Sequence, residues 1–454
     1  MTSLLPGARV HVVGVAGAGM SGVARLLAER GCSLSGSDEH DGPVLASLRD
    51  AGVTVYVGHD ATQGADAQVV LWSPAIDADN VELAAARRRG AVMMPRAQLL
   101  SELARLQPVI GLTGTHGKTT ATSMMVHVLA AAGRDDSRLL GAAVLGVGEN
   151  GHWGHDAMVL EVDESYGSFA QLSPSALGLL NVEADHLDHY GTLEALEAAF
   201  VALVERTTGP VVASSDDVGA TRVATRATRA VVLVGRAEAD EWCVLDERLA
   251  RSSSSFTLRG PRVTLRIELN VTGAHNVTNA AVVAVLAFAL GINERHVASG
   301  LARFRGAPRR FERLGAWRGV DVYEDYAHLP GEIAATLTTL RAVGYERVTA
   351  VFQPHRVTRT LRLASSFASS FSDATNVVVT DIYDAGEANP SNVTGEIVAR
   401  ALADVDPQRH VRYEATLSDV AHALEELHDD SDVVVLLGAG DVASVAALLS
   451  GGVS

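Results

Sequence analysis

Cysteine is nearly missing from this chain: among 454 residues only Cys32 and Cys243 occur. Two isolated thiols exclude a disulfide framework, and no Cys-x-x-Cys is present to hold zinc. Both features fit a reducing compartment, the cytoplasm. Long hydrophobic runs are missing as well. The longest, Ala280 to Leu290, is too short to cross a bilayer, so no membrane association is expected. No basic segment precedes the first apolar run, and Val10 to Val15 reads as a strand rather than as a targeting signal.

Positive charge is in deficit. There are 37 basic and 54 acidic residues, for a net charge of −17, which argues against nucleic-acid binding because that needs a basic face. Any anionic substrate must be held by a local concentration of positive groups. Lysine is scarcest of all: 36 of the 37 basic residues are arginine, and the remaining one is Lys118. A lysine kept in such a background marks a position that needs a compact ammonium rather than a planar fork.

What is present is a globular composition, with 47% hydrophobic residues and 42 glycines. Three stretches each open on a strand-like run and alternate strands with helices. In the first, Val10–Val15, Val53–Val57 and Val69–Trp72 read as strands and Ser21–Arg30 as a helix. The second has strands at 109–113, 157–162, 176–182, 211–213 and 231–234, a helix from about Thr119 to Ala132, and a weaker β region at 256–267. The third has strands at 321–323, 348–352, 376–380 and 433–437. This alternation predicts three α/β domains, at 1–107, 108–310 and 311–454, with parallel sheets and right-handed crossovers.

Two glycine-rich loops stand between a strand and a helix. Gly17-Ala18-Gly19-Met20-Ser21-Gly22, with Asp38 downstream, suits a pyrophosphate at a helix N-terminus and a ribose hydroxyl. NAD and a UDP-sugar both fit it, and a turn used only for packing is the plainer reading. Gly114-Thr115-His116-Gly117-Lys118-Thr119-Thr120 has the makings of a P-loop. Its backbone amides would cradle phosphates, Lys118 would reach the β- and γ-phosphates, and the Thr119 hydroxyl would bind Mg²⁺. The metal also needs carboxylates. Glu161, Asp163 and Glu164 supply them, with Glu161 and Asp163 on one face if the strand persists. Asn181 to His189 adds a second cluster, from which His186 could take a second metal. Lys118 itself is expected at a solvent-filled position.

Together these segments resemble the Mur ligases over nearly the whole chain. Gly14–Gly22 with Gly36-Ser-Asp38, the P-loop, Glu161-Val-Asp-Glu-Ser165 with Gly167-Ser-Phe169, and Asn181–Asp188 carry the likeness. So do His275-Asn276-Val-Thr-Asn279, Arg309-Arg310-Phe-Glu312, Asp325-Tyr326-Ala-His328, Phe352-Gln-Pro-His-Arg356 and Gly438-Ala-Gly-Asp441. The resemblance implies a Rossmann-like N-terminal domain, a central P-loop ATPase-type domain and a Rossmann-like C-terminal domain. It implies ATP and two Mg²⁺ sites, and a member that joins L-alanine to UDP-N-acetylmuramate through an acyl phosphate in peptidoglycan precursor synthesis, as a monomer or homodimer.

By the same resemblance, Gly17, Ala18, Gly19, Met20, Ser21, Asp38, Asp163, Glu164 and Ser165 meet the sugar nucleotide. His275, Asn276, Asn279, Arg310 and Asp325 join the P-loop around ATP, and Thr119, Glu161 and His186 hold metal. Tyr326, His328, Arg356 and Arg359 surround the amino acid. Lys118, Glu161, His186, Arg356 and Arg359 carry the reaction. Some sister ligases hold the second metal with a carbamylated lysine, for which this chain has no candidate. Leu329, Val357, Tyr166 and the segment 141–155 depart from the family pattern. The alternatives are a paralogue with altered specificity or little activity, acting as a binding or regulatory protein, and an NAD-dependent oxidoreductase. The oxidoreductase leaves the P-loop unexplained.

Overall fold

Short apolar runs, rich in valine in two of the three sheets, form the central strands, as β-branched side chains favour. The computed structural model describes residues 4–73, 76–449 and 451–453, and all side chains among them except those of Ala18, Tyr166 and Asp188. Contacts divide it into two units. One holds residues up to Arg248, Ser255–Asn270 and Asn276–Arg305; the other holds Leu249–Ser254, Val271–His275 and residues from Gly306 onward.

The first unit contains two sheets. In one, five parallel strands lie in the order Thr54–Val57, Ser33–Asp38, Arg9–Val13, Val69–Trp72, Val92–Pro95. The chain builds one side of Arg9–Val13 and then the other, so a crevice opens at the carboxyl ends where the order reverses. The helix Ala18–Glu29 covers the sheet with Val23, Ala24, Leu26 and Leu27, all fully buried. Gly31, at φ +92°, carries the turn that follows it.

The other sheet has ten strands. Its parallel centre runs Val232–Gly235, Val211–Ser214, Ala176–Leu179, Val109–Thr113, Met158–Val162, Ser137–Leu139. The short strand Gly151–His152 is antiparallel at one edge. At the far side stand three strands, Trp242–Ala250, which was not expected, and Ser253–Arg259 and Thr264–Leu269, which span the expected weak β region. One expectation is corrected here. The strand Met158–Val162 ends before Asp163, so Glu161 and Asp163 do not share a strand face.

The second unit is built on six strands, ordered Glu312–Trp317, Val320–Asp325, Val433–Leu437, Val348–Phe352, Asn376–Thr380, His410–Glu414. Only the first pair is antiparallel. Val433–Leu437 and Val348–Phe352 are wholly buried at its centre, as strands covered on both faces must be. Among the described residues, no helix is long and apolar enough to cross a membrane.

Candidate active site

The loop after Val109–Thr113 takes its shape from two glycines. Gly114 has φ +146°, and a Cβ there would lie 3.0 Å from the backbone of Asn181; Gly117 has φ +77°, with Asn279 Oδ1 2.8 Å from where its Cβ would be. Asn181 braces the loop from the neighbouring strand end. Its Oδ1 accepts from His116 N at 2.7 Å, its Nδ2 donates to His116 O at 3.1 Å, and its carbonyl accepts from Thr115 N at 3.1 Å. Glu183 N donates to Thr115 Oγ1 at 2.9 Å, and Glu183 Oε2 meets His116 Nε2 at 3.1 Å. The helix Lys118–Ala131 begins directly behind, with Thr119 and Thr120 buried in its first turn. Its N-terminal amides therefore face the loop, as phosphate binding requires.

Lys118 does not stand in solvent. Its side chain is 13% exposed, and Nζ donates to Glu164 Oε2 at 2.7 Å and to Thr115 O at 3.2 Å, with Asp163 Oδ1 at 3.6 Å. That overturns the expectation of a solvent-filled position. Burial works against the ammonium, but Glu164 and Asp163 outweigh it and hold its pKa above the usual lysine value. Burial pushes the Glu164 carboxyl up to about 7 against the pull of Lys118.

The acidic residues divide into two groups. Glu161 accepts from Thr119 Oγ1 at 2.9 Å and from Gly141 N at 2.8 Å. Asp163, Glu164 and His186 form the other, with one ligand atom from each within 4.8 Å of the others. His186 Nε2 is 3.9 Å from Glu164 Oε1 and 3.5 Å from Asp185 Oδ2. Glu164 Oε1 is buried and accepts no hydrogen bond, although a buried carboxylate oxygen ordinarily has a partner. Two carboxylates and an imidazole around such an atom suit a divalent cation of the Mg²⁺ or Mn²⁺ kind. Thr119 and Glu161 bond to each other, while His186 sits with Asp163 and Glu164. The Ser165 hydroxyl donates to Asp163.

In the first sheet, the glycine-rich loop is fastened to its neighbours. Asp38 Oδ2 accepts from Ala16 N at 2.8 Å, and Ser37 O accepts from Gly14 N and Val15 N. One oxygen of Asp38 thus fixes the loop. Met20 is buried, and its backbone N–H donates to Gly17 O at 2.9 Å, so neither its side chain nor its amide is free for a ligand. Asn150, within the divergent segment 141–155, donates from Nδ2 to Ser21 Oγ at 3.1 Å. The side chains of Ala18 and Tyr166 lie outside the described residues.

The second unit gathers cations and rings at the carboxyl edge of its sheet. Arg309 and Arg310 lie over Tyr326, 5.0 and 4.7 Å from its centroid; Tyr326 meets His328 edge-on, and His328 meets His355. Burial, helped by the positive charges of His328, Arg359, Arg356 and Arg309, drives the His355 pKa down to about 3. As a neutral ring, His355 accepts at Nδ1 from Arg359 Nη1, 3.3 Å away. Arg356 has φ +69°, and its Nη1 is 4.0 Å from Glu387 Oε1. Asp325 is buried, accepting from Thr336 Oγ1 at 2.6 Å and Ala327 N at 3.2 Å. Leu329 and Val357 are also buried, at 3% and 5% exposure. Leu329 stands where a polar cap would precede Pro330–Ala342, and Glu332 takes up the local amides instead, those of His328 and Leu329.

His275, Asn276 and Asn279 are separated in their contacts. Asn279 adjoins Gly117, and Asn276 is buried on the same helix. His275 counts with the second unit, where its ring meets Phe311 and burial lowers its pKa to about 4. Sequence reasoning missed Asn150 and Glu387 as members of these clusters. The contact of Asn150 with Ser21 spans 129 positions, and no local spacing signals it.

Comparison with known proteins gives a consistent picture. Residues 9–108 match the model described as Mur ligase family, catalytic domain, residues 112–287 the Mur ligase middle domain, and residues 309–440 the Mur ligase glutamate ligase domain. The chain is 39% identical to a UDP-N-acetylmuramate–L-alanine ligase of Clavibacter sepedonicus, over 96% of this chain and 91% of that one. It is 39% identical to a ligase of the same name from Renibacterium salmoninarum, over 97% and 95%. The crystal structure of the Thermotoga maritima UDP-N-acetylmuramate-alanine ligase superposes with a TM-score of 0.81 at 28% identity, covering 96% of this chain and 97% of that one.

Proposed function

The chain belongs to the Mur ligase family, and from that premise we propose that it joins L-alanine to the lactyl carboxylate of UDP-N-acetylmuramate, in peptidoglycan precursor synthesis. Residues 1–107 take the sugar nucleotide, 108–310 take ATP, and 311–454 take the amino acid. The observation that carries this reading is the whole-length likeness to L-alanine ligases of a chain that keeps its only lysine inside a braced phosphate loop.

A carboxylate oxygen of the sugar nucleotide attacks the γ-phosphorus of ATP, and the bond to the β–γ bridging oxygen breaks to release ADP. The L-alanine amine then attacks the acyl carbon, loses a proton, and phosphate leaves. Bringing two anions together asks for positioning and charge neutralisation above all. The amides from Gly114 to Thr120 orient the phosphates. Lys118, held by Glu164 beforehand, turns its ammonium to the γ-phosphate when ATP arrives.

A divalent cation would be held by Asp163, Glu164 and His186, and a second by Thr119 and Glu161. When bound, such ions neutralise phosphate charge. Arg356 and Arg359 receive the amino-acid carboxylate, a role suited to the bidentate fork, and Tyr326 and His328 enclose the side chain. Leu329 and Val357 are buried in packing, which favours L-alanine over a shifted specificity.

The test is phosphate release with ATP, UDP-N-acetylmuramate and a panel of amino acids. L-alanine should give the highest kcat/KM, with glycine and L-serine as weaker substrates, since one methylene discriminates by only about 1–3 kcal/mol. Preference for a charged or bulky amino acid would overturn the assignment.

A further inference from the structure

Three arginines of the first unit have a buried Nε without a hydrogen-bond partner: Arg25, Arg96 and Arg229. Two of them use their outer nitrogens. Arg25 Nη2 donates to Ser47 Oγ at 2.8 Å, and Arg229 Nη2 donates to Gly209 O. Arg96 differs, because among the described residues no hydrogen bond or ion pair engages its guanidinium.

Its position is informative. Arg96 is the first residue of the helix Arg96–Ala104, directly after the edge strand Val92–Pro95. It therefore stands at the carboxyl edge of the five-stranded sheet, where the crevice opens. The guanidinium lies across Gly19. A Cβ on Gly19 would come within 2.6 Å of Arg96 Cζ and 2.8 Å of Nη2, so the guanidinium sits directly on the face of the turn that the missing side chain leaves open.

A guanidinium cannot shed its proton, and half-buried donors left without hydrogen bonds are costly. A residue kept only for packing would be paired, as Arg25 and Arg229 are. We infer that Arg96 clamps the diphosphate of the sugar nucleotide against the Gly17–Gly19 turn. The inference rests on the substrate reading above and deepens it, adding a binding residue from the far edge of the same sheet. The lactyl carboxylate is the other anion of that substrate. The guanidinium's seat on the glycine turn favours the diphosphate, since such turns receive pyrophosphates.

Calorimetric titration of the full-length protein, wild type, Arg96→Met and Arg96→Lys, distinguishes the possibilities. Two ligands are used: UDP-N-acetylmuramate, and UDP-N-acetylglucosamine, which has the same diphosphate and no lactyl carboxylate. Arg96→Met should weaken both by a similar factor, about ten- to a hundredfold for lost hydrogen bonds to a charged group. Arg96→Lys should recover part of the loss, and it replaces the methionine variant if melting curves show that one unfolded. Unchanged affinities in folded variants would overturn the inference alone, as would a loss confined to UDP-N-acetylmuramate, which would move Arg96 to the carboxylate. A wild-type protein that binds no UDP-N-acetylmuramate would overturn the substrate reading and this inference with it.

Discussion

Asp325 shows how a buried carboxyl holds a turn at a strand end. It closes the strand Val320–Asp325, and its two oxygens are taken by Thr336 Oγ1 and Ala327 N. Those bonds fix the turn that carries Tyr326 and His328. Burial is the main reason its pKa rises from 3.8 to about 6. Between those values the folded protein keeps a proton that the unfolded chain has released. The associated stability is complete below pH 3.8 and is lost as pH rises through about 6. A shift of two units corresponds to about 3 kcal/mol. Asn at this position keeps an acceptor and never ionises. The melting temperature of Asp325→Asn should therefore rise relative to wild type as pH goes from 4 to 7. A difference independent of pH would remove the buried carboxyl from this account.

At the scale of elements, the helix Val357–Ser370 starts from a strained residue and is secured by a distant loop. Arg356, at φ +69°, donates its backbone N–H to Tyr383 O at 2.8 Å, and Tyr383 N returns a bond to Pro354 O at 2.9 Å. The His355 and Tyr383 rings stack at 5.7 Å and 8°. Glu387 caps the helix by accepting from Thr358 N and Thr358 Oγ1, each at 3.0 Å, while lying 4.0 Å from Arg356 Nη1. Such a cap is worth about 0.5–2 kcal/mol, and here it also aims an arginine. Glu387→Ala should raise the KM for L-alanine about tenfold, equivalent to about 1.4 kcal/mol, and leave the KM for ATP nearly unchanged. Equal increases for both substrates would mean general loosening. This lacing also marks what a sequence reader can and cannot see. The central strands were legible because two-sided burial demands continuous apolar runs, and the P-loop was legible because its glycines must adopt positive φ. Short or half-exposed strands such as Ser137–Leu139 and His410–Glu414 carry no such signal. Contacts such as Glu387 with Thr358, or Arg96 with Gly19, join separate crevice loops whose spacing follows no motif.

Over the whole molecule, the arginine bias makes one side chain chemically unique. Lys118 supplies the only ε-amine in 454 residues. An amine-directed reagent such as acetic anhydride can therefore modify one side-chain amine per chain, besides the terminal amine. In the nucleotide-free protein that amine is largely buried, and Glu164 and Asp163 keep it protonated. Since only the neutral amine reacts, labelling should be slow at neutral pH and quicken as pH rises. If Lys118 turns to the γ-phosphate, ATP should slow it further, whereas L-alanine should not. Mass spectrometry should find the side-chain adduct on the peptide containing Lys118, with ligase activity falling in step. Lys118→Arg removes the amine and keeps the charge, so it should take up no side-chain label. It should also lose at least about a hundredfold in turnover, because a planar fork does not fit among the loop amides. Full activity in a chain acetylated at Lys118, or in the arginine variant, would show that the phosphate loop works without its ammonium.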